Sequence, residues 1–257
     1  MNMKKMFDFN NANAIVVGGG SGIGREIALA LSQNGASVLV TGRDIEKLNS
    51  TKKEIDSLGF TACSVFESDV TSESSVEKLI AYSSNLFSGK LNILVNSAGT
   101  NIRAPIEEVS IDDFQEVMDV NLKGTFLTTK MAYPLLKASD YGRVINLASI
   151  FSTVSYPGRL SYSSSKAGVL LFSKTIALEW AQNGITVNTI SPGPLLTEIN
   201  KKVLEDKENY KKFCERIPMR RFGEPYEIVT AALFLASPFS SYVTGSDVVV
   251  DGGWTSS

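Results

Sequence analysis

The feature that most constrains this chain is the regular alternation, from end to end, of short continuously apolar runs with longer amphipathic segments. Ala14–Gly18, Ser37–Thr41, Thr61–Phe66, Leu91–Val95, Arg143–Leu147, Ile185–Ile190 and Val248–Val250 read as strands. A strand that is apolar on both faces needs cover on both, which is the mark of a parallel sheet between layers of helices. The helical segments run over Ile23–Leu31, from Asp44 to Gly59, over Ser72–Phe87, from Ser110 toward Leu136, and over Arg159–Gln182, Thr197–Phe213 and Pro225–Ala236. Several carry start and stop signals. Asp44 is placed to cap, Gly59 to terminate, Ser110 with Asp113 resembles a capping box, and Pro225 sits at a first helical position. Connections are short, with no low-complexity or repeated stretch. The expected fold is α/β: one doubly wound domain over 1–257, with a seven-stranded parallel sheet.

Composition then removes whole classes of function. The 257 residues include no histidine, which excludes Ser-His-Asp and Cys-His nucleophilic machinery and any His-ligated zinc site. Proton chemistry must therefore use Tyr, Lys, Asp, Glu or water, and no metal site is expected. With 25 basic and 27 acidic side chains there is no basic footprint for nucleic acid. Cys63 and Cys214 lie far apart and read as ordinary thiols. No apolar stretch approaches the roughly 18 to 20 residues of a membrane span. Asp8, Asn10, Asn11 and Asn13 interrupt anything like a signal-peptide core. A cytoplasmic protein without a membrane partner is expected.

The glycines Gly18, Gly22 and Gly24 stand in GGGSGIG, between the first strand and the first helix. A tight strand-to-helix turn needs positive φ, and a pyrophosphate needs backbone N–H groups with no Cβ in the way. The helix N-terminus adds about half a positive charge where the anion would rest. A dinucleotide is the expected ligand. An acid at the end of the second strand would accept from the ribose 2′-hydroxyl of NAD(H). This chain has Thr41-Gly42-Arg43 instead, and Arg43 can pair with a 2′-phosphate, so NADP(H) is favoured over NAD(H).

Tyr162 and Lys166 are four apart near the start of a helix and share one face. A phenol is a poor proton donor at neutral pH, but a unit charge about 4 Å away is worth roughly 4 kcal/mol at an effective dielectric of 20, about three pK units. A lysine there is expected to acidify the phenol. Ser149 follows the strand ending at Leu147, at the carboxyl edge where α/β ligands bind, and could polarise a carbonyl or simply serve the turn. Asn121 interrupts an otherwise amphipathic helix; it either faces solvent or holds a kink and an ordered water.

Taken jointly, these residues resemble the short-chain dehydrogenase/reductase family in its single-domain, Rossmann-like form. The motifs are Gly18-x-x-x-Gly22-x-Gly24, Asp69-Val70, Asn96-Ser97-Ala98-Gly99, Asn121, Ser149, Tyr162-x-x-x-Lys166, Pro192-Gly193 with Thr197, and Val250-Asp251-Gly252-Gly253. They span essentially the whole chain. The resemblance implies that Tyr162 is the general acid/base, Lys166 its modulator and a ribose ligand, Ser149 the carbonyl orienter and Asn121 the relay anchor. It further implies cofactor contacts from Gly18, Ser21, Gly22, Ile23, Gly24, Asp69, Val70, Asn96, Ala98, Gly99, Pro192, Gly193 and Thr197. Two departures stand out: Val17 replaces a usual Thr, and Ser97 the second Asn of N-N-A-G.

Members of this size are commonly homotetramers, and the long helices Ser110–Leu136 and Arg159–Gln182 are the expected pairing surfaces. The segment of about 194–223 corresponds to the family's substrate lid. Its basic residues, Lys201, Lys202, Lys207, Lys211, Lys212, Arg216, Arg220 and Arg221, suit an anionic small-molecule substrate or form a solvated face. Reduction of a 3-oxoacyl thioester is the leading substrate expectation. A polyol or sugar-acid dehydrogenase of the gluconate type is the alternative, since NAGTNIRAPIEE and FCERIPMRRFGEP resemble such members. A dinucleotide-binding protein without turnover is the remote third, and would predict a damaged site.

Overall fold

The computed structural model describes residues 6–59, 61–200 and 204–256. Strands β1 (Asn13–Val17), β2 (Ser37–Gly42), β3 (Cys63–Glu67), β4 (Ile93–Asn96), β5 (Gly142–Leu147), β6 (Ile185–Pro192) and β7 (Asp247–Val250) form one sheet in the order β3-β2-β1-β4-β5-β6-β7. Every pairing is parallel. The helices are α1 (Gly22–Gln33), α2 (Ile45–Ser57), α3 (Glu73–Leu86), α4 (Ile111–Met118), α5 (Gly124–Lys137), α6 (Leu160–Trp180), α7 (Lys207–Arg216) and α8 (Val229–Ala236).

Side-chain alternation along the strands builds two cores. Ala14 and Val16 of β1 point into one, with α1 and α8; Ile15 and Val17 point into the other, with α3, α5 and α6. The same split continues through Ile93 and Val95 against Leu94. β4, β5 and β6 are buried throughout, and the polar residues they carry, among them Asn96, Arg143, Asn146 and Asn188, are buried with their apolar neighbours. The strand order reverses between β1 and β4, so the two chains leaving their carboxyl ends diverge and open a crevice there.

Local signals act as expected at several helix ends. The Asp44 and Ser110 side chains accept from the N–H of Lys47 and Asp113. Gly59 and Gly184 take the left-handed conformation that ends a helix.

Two expectations are corrected. The helix from Ser110 toward Leu136 is interrupted by a π-helical turn over Asp119–Lys123, centred on Asn121. Nor is Thr197–Phe213 one helix: a 3₁₀ turn covers Glu198–Asn200, and α7 starts afresh at Lys207. Asp206 causes that restart, its carboxylate accepting from the N–H of Glu208 and Asn209. Residues 201–203, including Lys201 and Lys202, lie outside the described residues. The lid is closed at its base, where the Leu196 N–H donates to Gly223 O and the Gly223 N–H to Pro194 O.

Candidate active site

The crevice at the strand reversal is a groove whose shape calls for an extended, phosphate-bearing ligand. Gly18 turns the chain at φ +80°, and a Cβ there would sit 2.6 Å from the Ala98 nitrogen. A Cβ on Gly24 would meet Gly18 O at 2.3 Å, so that glycine lets α1 pack against the loop rather than facing the groove. Ser21 occupies the N-cap of α1 without capping it through its side chain, and no acid occupies the first turn. The positive end of α1 is thus open to an anion. Gly18, Gly22, Asp69, Ala98 and Gly99 line the groove, with Ile23 and Val70 as its apolar walls and Arg43 at its far end. Against the cost of burial, the Thr71 N–H and hydroxyl, with Arg43 and Lys123 nearby, hold the Asp69 carboxyl below its usual range. These features fit a dinucleotide: a glycine cradle for the pyrophosphate, a carboxylate and an apolar wall for the adenosine.

Asn96 departs from the expected role as a groove-lining residue. Its side chain donates to Thr129 Oγ1 at 3.0 Å and to Asn146 Oδ1 at 2.8 Å, and accepts from Thr128 at 2.7 Å. It is a buried tie between β4, β5 and α5, fully committed within the fold.

The groove runs into a second cleft lined by Ser149, Tyr162, Lys166, Pro192, Gly193 and Thr197. Ser149 caps a 3₁₀ turn after β5, its hydroxyl accepting from the Phe151 N–H at 3.1 Å and lying close enough to Tyr162 to favour its ionised form. Tyr162 and Lys166 leave the first turns of α6 on the same side, with Lys166 Nζ 5.8 Å from the phenol ring centre. The Tyr162 ring is held edge-on by Phe151, centroids 6.5 Å apart. Asn121 is fully buried in the π turn. It accepts from the Thr100 N–H at 2.8 Å and donates to Thr100 O at 3.0 Å and Ser165 Oγ at 2.9 Å. A Cβ on Gly99 would lie 3.4 Å from Asn121 Oδ1 and 3.6 Å from Lys166 Nζ, which places this loop residue against both side chains. The four residues are brought together.

Their electrostatics differ from the sequence-based expectation. Burial pushes the Tyr162 phenol up, and the Ser149 hydroxyl with the Arg159 and Arg103 charges offsets this only in part. The cations acting on the phenol are these arginines. Lys166 instead donates to Leu147 O at 2.6 Å, and burial pulls its ammonium down to about 8. A testable sign follows. Below pH 8 the lysine is charged in both folded and unfolded chains, and its burial cost is fully present. Above that the folded chain releases its proton first, the unfolded chain binds more protons, and stability rises toward the ordinary lysine value. Without cofactor, the stability of wild type relative to Lys166→Met is expected to rise by about 2 kcal/mol between pH 7 and 9.5. Urea unfolding at the two pH values measures it; an unchanged difference would refute the buried ammonium.

Sequence reasoning missed the cleft's own cations. It looked to the lid, but the described basic lid residues are exposed: Lys212 pairs with Glu208 at 2.7 Å, Arg221 with Glu227 at 2.6 Å, and Arg216 stacks on Tyr156 and Trp254. The cations beside Tyr162 are Arg103, half-buried, and Arg159, only 4% exposed. A signal existed. Arg159 stands at the N-cap of a 21-residue helix with no acid in its first turn, where a cation opposes the macrodipole.

Comparison with known proteins agrees with this geometry. The family model described as Enoyl-(Acyl carrier protein) reductase matches residues 17–255. A tropinone reductase homolog of Arabidopsis thaliana is 36% identical over 256 residues, covering 99% of this chain and 96% of the relative. Glucose 1-dehydrogenase 2 of Bacillus subtilis is 38% identical over 251 residues, covering 96% of each. The crystal structure of a gluconate 5-dehydrogenase from Burkholderia cenocepacia, in complex with NADP and tartrate, superposes with a TM-score of 0.93 at 32% identity, covering 98% of both chains. Matched by this family model over nearly its whole length and by such relatives from end to end, the chain belongs to the short-chain dehydrogenase/reductase family of NAD(P)-dependent oxidoreductases.

Proposed function

We propose that this enzyme transfers a hydride between NADP(H) and the secondary alcohol or ketone of a polyol or sugar acid, with Tyr162 as the proton-transferring group. The observation that carries the reading is the pair of hydroxyl-bearing side chains Ser149 and Tyr162, which line a cleft continuous with the dinucleotide groove. In the reductive direction a dinucleotide held by Gly18, Gly22, Asp69 and Val70 would, when bound, supply the hydride for the carbonyl carbon. The Ser149 hydroxyl holds the carbonyl oxygen, and the Tyr162 hydroxyl donates its proton to that oxygen as the C–O double bond becomes single. Oxidation runs the same transfers backward. Arg159 and Arg103 keep positive potential beside the phenol, Lys166 is anchored on Leu147 O, and Asn121 ties the loop at Thr100 to the helix that carries Ser165 and Lys166. With these four side chains assembled, nothing favours a binding protein without turnover.

Named relatives that act on glucose and gluconate support the polyol and sugar-acid class over 3-oxoacyl thioesters. The thioester reading keeps one support, the description of the matched family model. A panel of glucose, gluconate and acetoacetyl thioester, followed by nicotinamide absorbance with both cofactors, tests the proposal. Turnover of the thioester alone would overturn the substrate assignment.

NADP(H) preference rests on Arg43, exposed at the groove's far end with no acid at Gly42. Arg43→Ala is expected to raise KM for NADPH at least tenfold and KM for NADH less than threefold. Equal changes would remove the 2′-phosphate assignment.

A cytoplasmic homotetramer is proposed on separate grounds. Among the described residues no helix is long and apolar enough to cross a membrane. α4, α5 and α6 leave Ile111, Phe126, Leu171 and Leu178 between 41% and 82% exposed. Gel filtration showing a monomer of 27.8 kDa would refute assembly.

A further inference from the structure

We infer that Arg159, with Asn101 beside it, recognises a carboxylate-bearing substrate, so that this enzyme selects a hydroxy or keto acid over the neutral polyol of the same skeleton. This rests on the oxidoreductase reading above and assigns its substrate selectivity to residues of the cleft.

Arg159 is 4% exposed and lines the same cleft as Ser149 and Tyr162. Its guanidinium lies 5.5 Å from the centre of the Phe151 ring, and among the described residues no acceptor receives its side-chain N–H groups. A buried arginine normally ends on a carboxylate or a set of carbonyls, because a buried unpaired charge costs several kcal/mol. This chain shows that ordinary solution elsewhere: Arg143, equally buried, donates to Ser237 O, Gly142 O and Pro238 O. The charged and titratable groups that face Arg159 are Arg103, Tyr162 and Tyr156, with no acid among them. Burial and the like charge of Arg103 pull its guanidinium down to about 10. The surroundings therefore lack one negative charge.

Two further observations point the same way. The Asn101 amide nitrogen and oxygen are both buried and both without a hydrogen-bond partner among the described residues, and Asn101 lines this cleft too. A side chain with a free donor and a free acceptor suits hydroxyl groups on a polar substrate. Arg103, in contrast, is spoken for. Its Nη2 donates to Ile199 O and to Asn200 Oδ1, both at 3.0 Å, tying the lid to the loop after β4. The planar fork of Arg159 is thus the uncommitted element, and a fork of that kind pairs with a carboxylate in bidentate fashion.

The test uses matched pairs that differ only in a terminal carboxylate, D-gluconate against D-glucitol and D-galactonate against D-galactitol, with NADP-loaded enzyme. Wild type is expected to favour the acid in kcat/KM. Arg159→Met is expected to lower the acid-to-alcohol ratio at least thirtyfold, chiefly through KM, while Arg159→Lys retains part of the preference. A second readout is independent of turnover and of how well Arg159→Met folds. Calorimetric titration of tartrate into NADP-loaded Tyr162→Phe should show binding that weakens at least twentyfold in Tyr162→Phe/Arg159→Lys. A wild-type preference for the neutral polyol, an unchanged ratio in Arg159→Met, or equal tartrate binding in the two Tyr162→Phe proteins would each overturn the inference. Should no secondary alcohol turn over with either cofactor, the oxidoreductase reading fails, and the tartrate titration still decides whether Arg159 holds a carboxylate.

Discussion

Tyr162→Phe is expected to lower kcat about a thousandfold or more while leaving dinucleotide affinity within a few-fold of wild type. The substitution removes one oxygen and little else. The ring stays edge-on against Phe151, 6.5 Å between centroids, and Ser149 keeps its cap on the Phe151 N–H at 3.1 Å. What disappears is the proton transfer to or from the substrate oxygen, and general acid–base catalysis by a positioned group is typically worth 10²–10⁴-fold. The chain has no histidine to substitute, and the other titratable group in reach, Lys166, is turned onto Leu147 O. Steady-state rates and fluorescence titration of NADPH measure the two halves separately. A variant with more than a tenth of wild-type kcat would remove Tyr162 from the proton path. Loss of both rate and cofactor binding would instead report a damaged groove.

Gly18→Ala is expected to destabilise the fold by about 3 kcal/mol and to weaken dinucleotide binding more than tenfold. At φ +80° an L-residue is strained wherever it points, and this Cβ points at backbone: Ala98 N at 2.6 Å and Ala98 Cα at 2.9 Å. Backbone cannot rotate away as a side chain tip can. Relief requires the loop after β1 to move off the loop after β4, which opens the crevice where the pyrophosphate would rest. For a chain of this size the stability loss corresponds to a drop in Tm of roughly 6–12 °C. Calorimetry with and without NADP tests it. A Tm within 2 °C of wild type would show that the contact is not tight.

How much of this was legible beforehand differs by feature. The strands announced themselves because a parallel sheet covered on both faces favours apolar residues on both, as over Ile93–Val95 of β4; β5 and β6 are less plain, since the buried polar residues Arg143, Asn146, Asn188 and Thr189 interrupt them. Caps such as Asp44 and Ser110 were legible because their partners lie three residues away. The π turn at Asn121 was half legible. An asparagine inside an amphipathic segment asks for a local reason, but its partners, Thr100 and Ser165, come from other elements. Asp206 carried a cap signal that the reading of Thr197–Phe213 as one helix passed over.

The candidate catalytic group divides in the same way. Spacing along one helix was enough to put Tyr162 and Lys166 on one face, since that relation is local and periodic. It could not say where the ammonium goes. Lys166 points at a carbonyl of β5 and Tyr162 is surrounded by arginines, one from the loop after β4 and one from the start of α6. Charge on the lid was visible in composition, yet those side chains face solvent or each other, whereas the two cations that matter were inconspicuous single residues. Local patterns and near-neighbour chemistry, set by bonds along the chain, were within reach of the sequence alone. The electrostatic character of the cleft was decided by tertiary structure, because burial and charge contacts at a point depend on segments distant in the chain that only packing brings together.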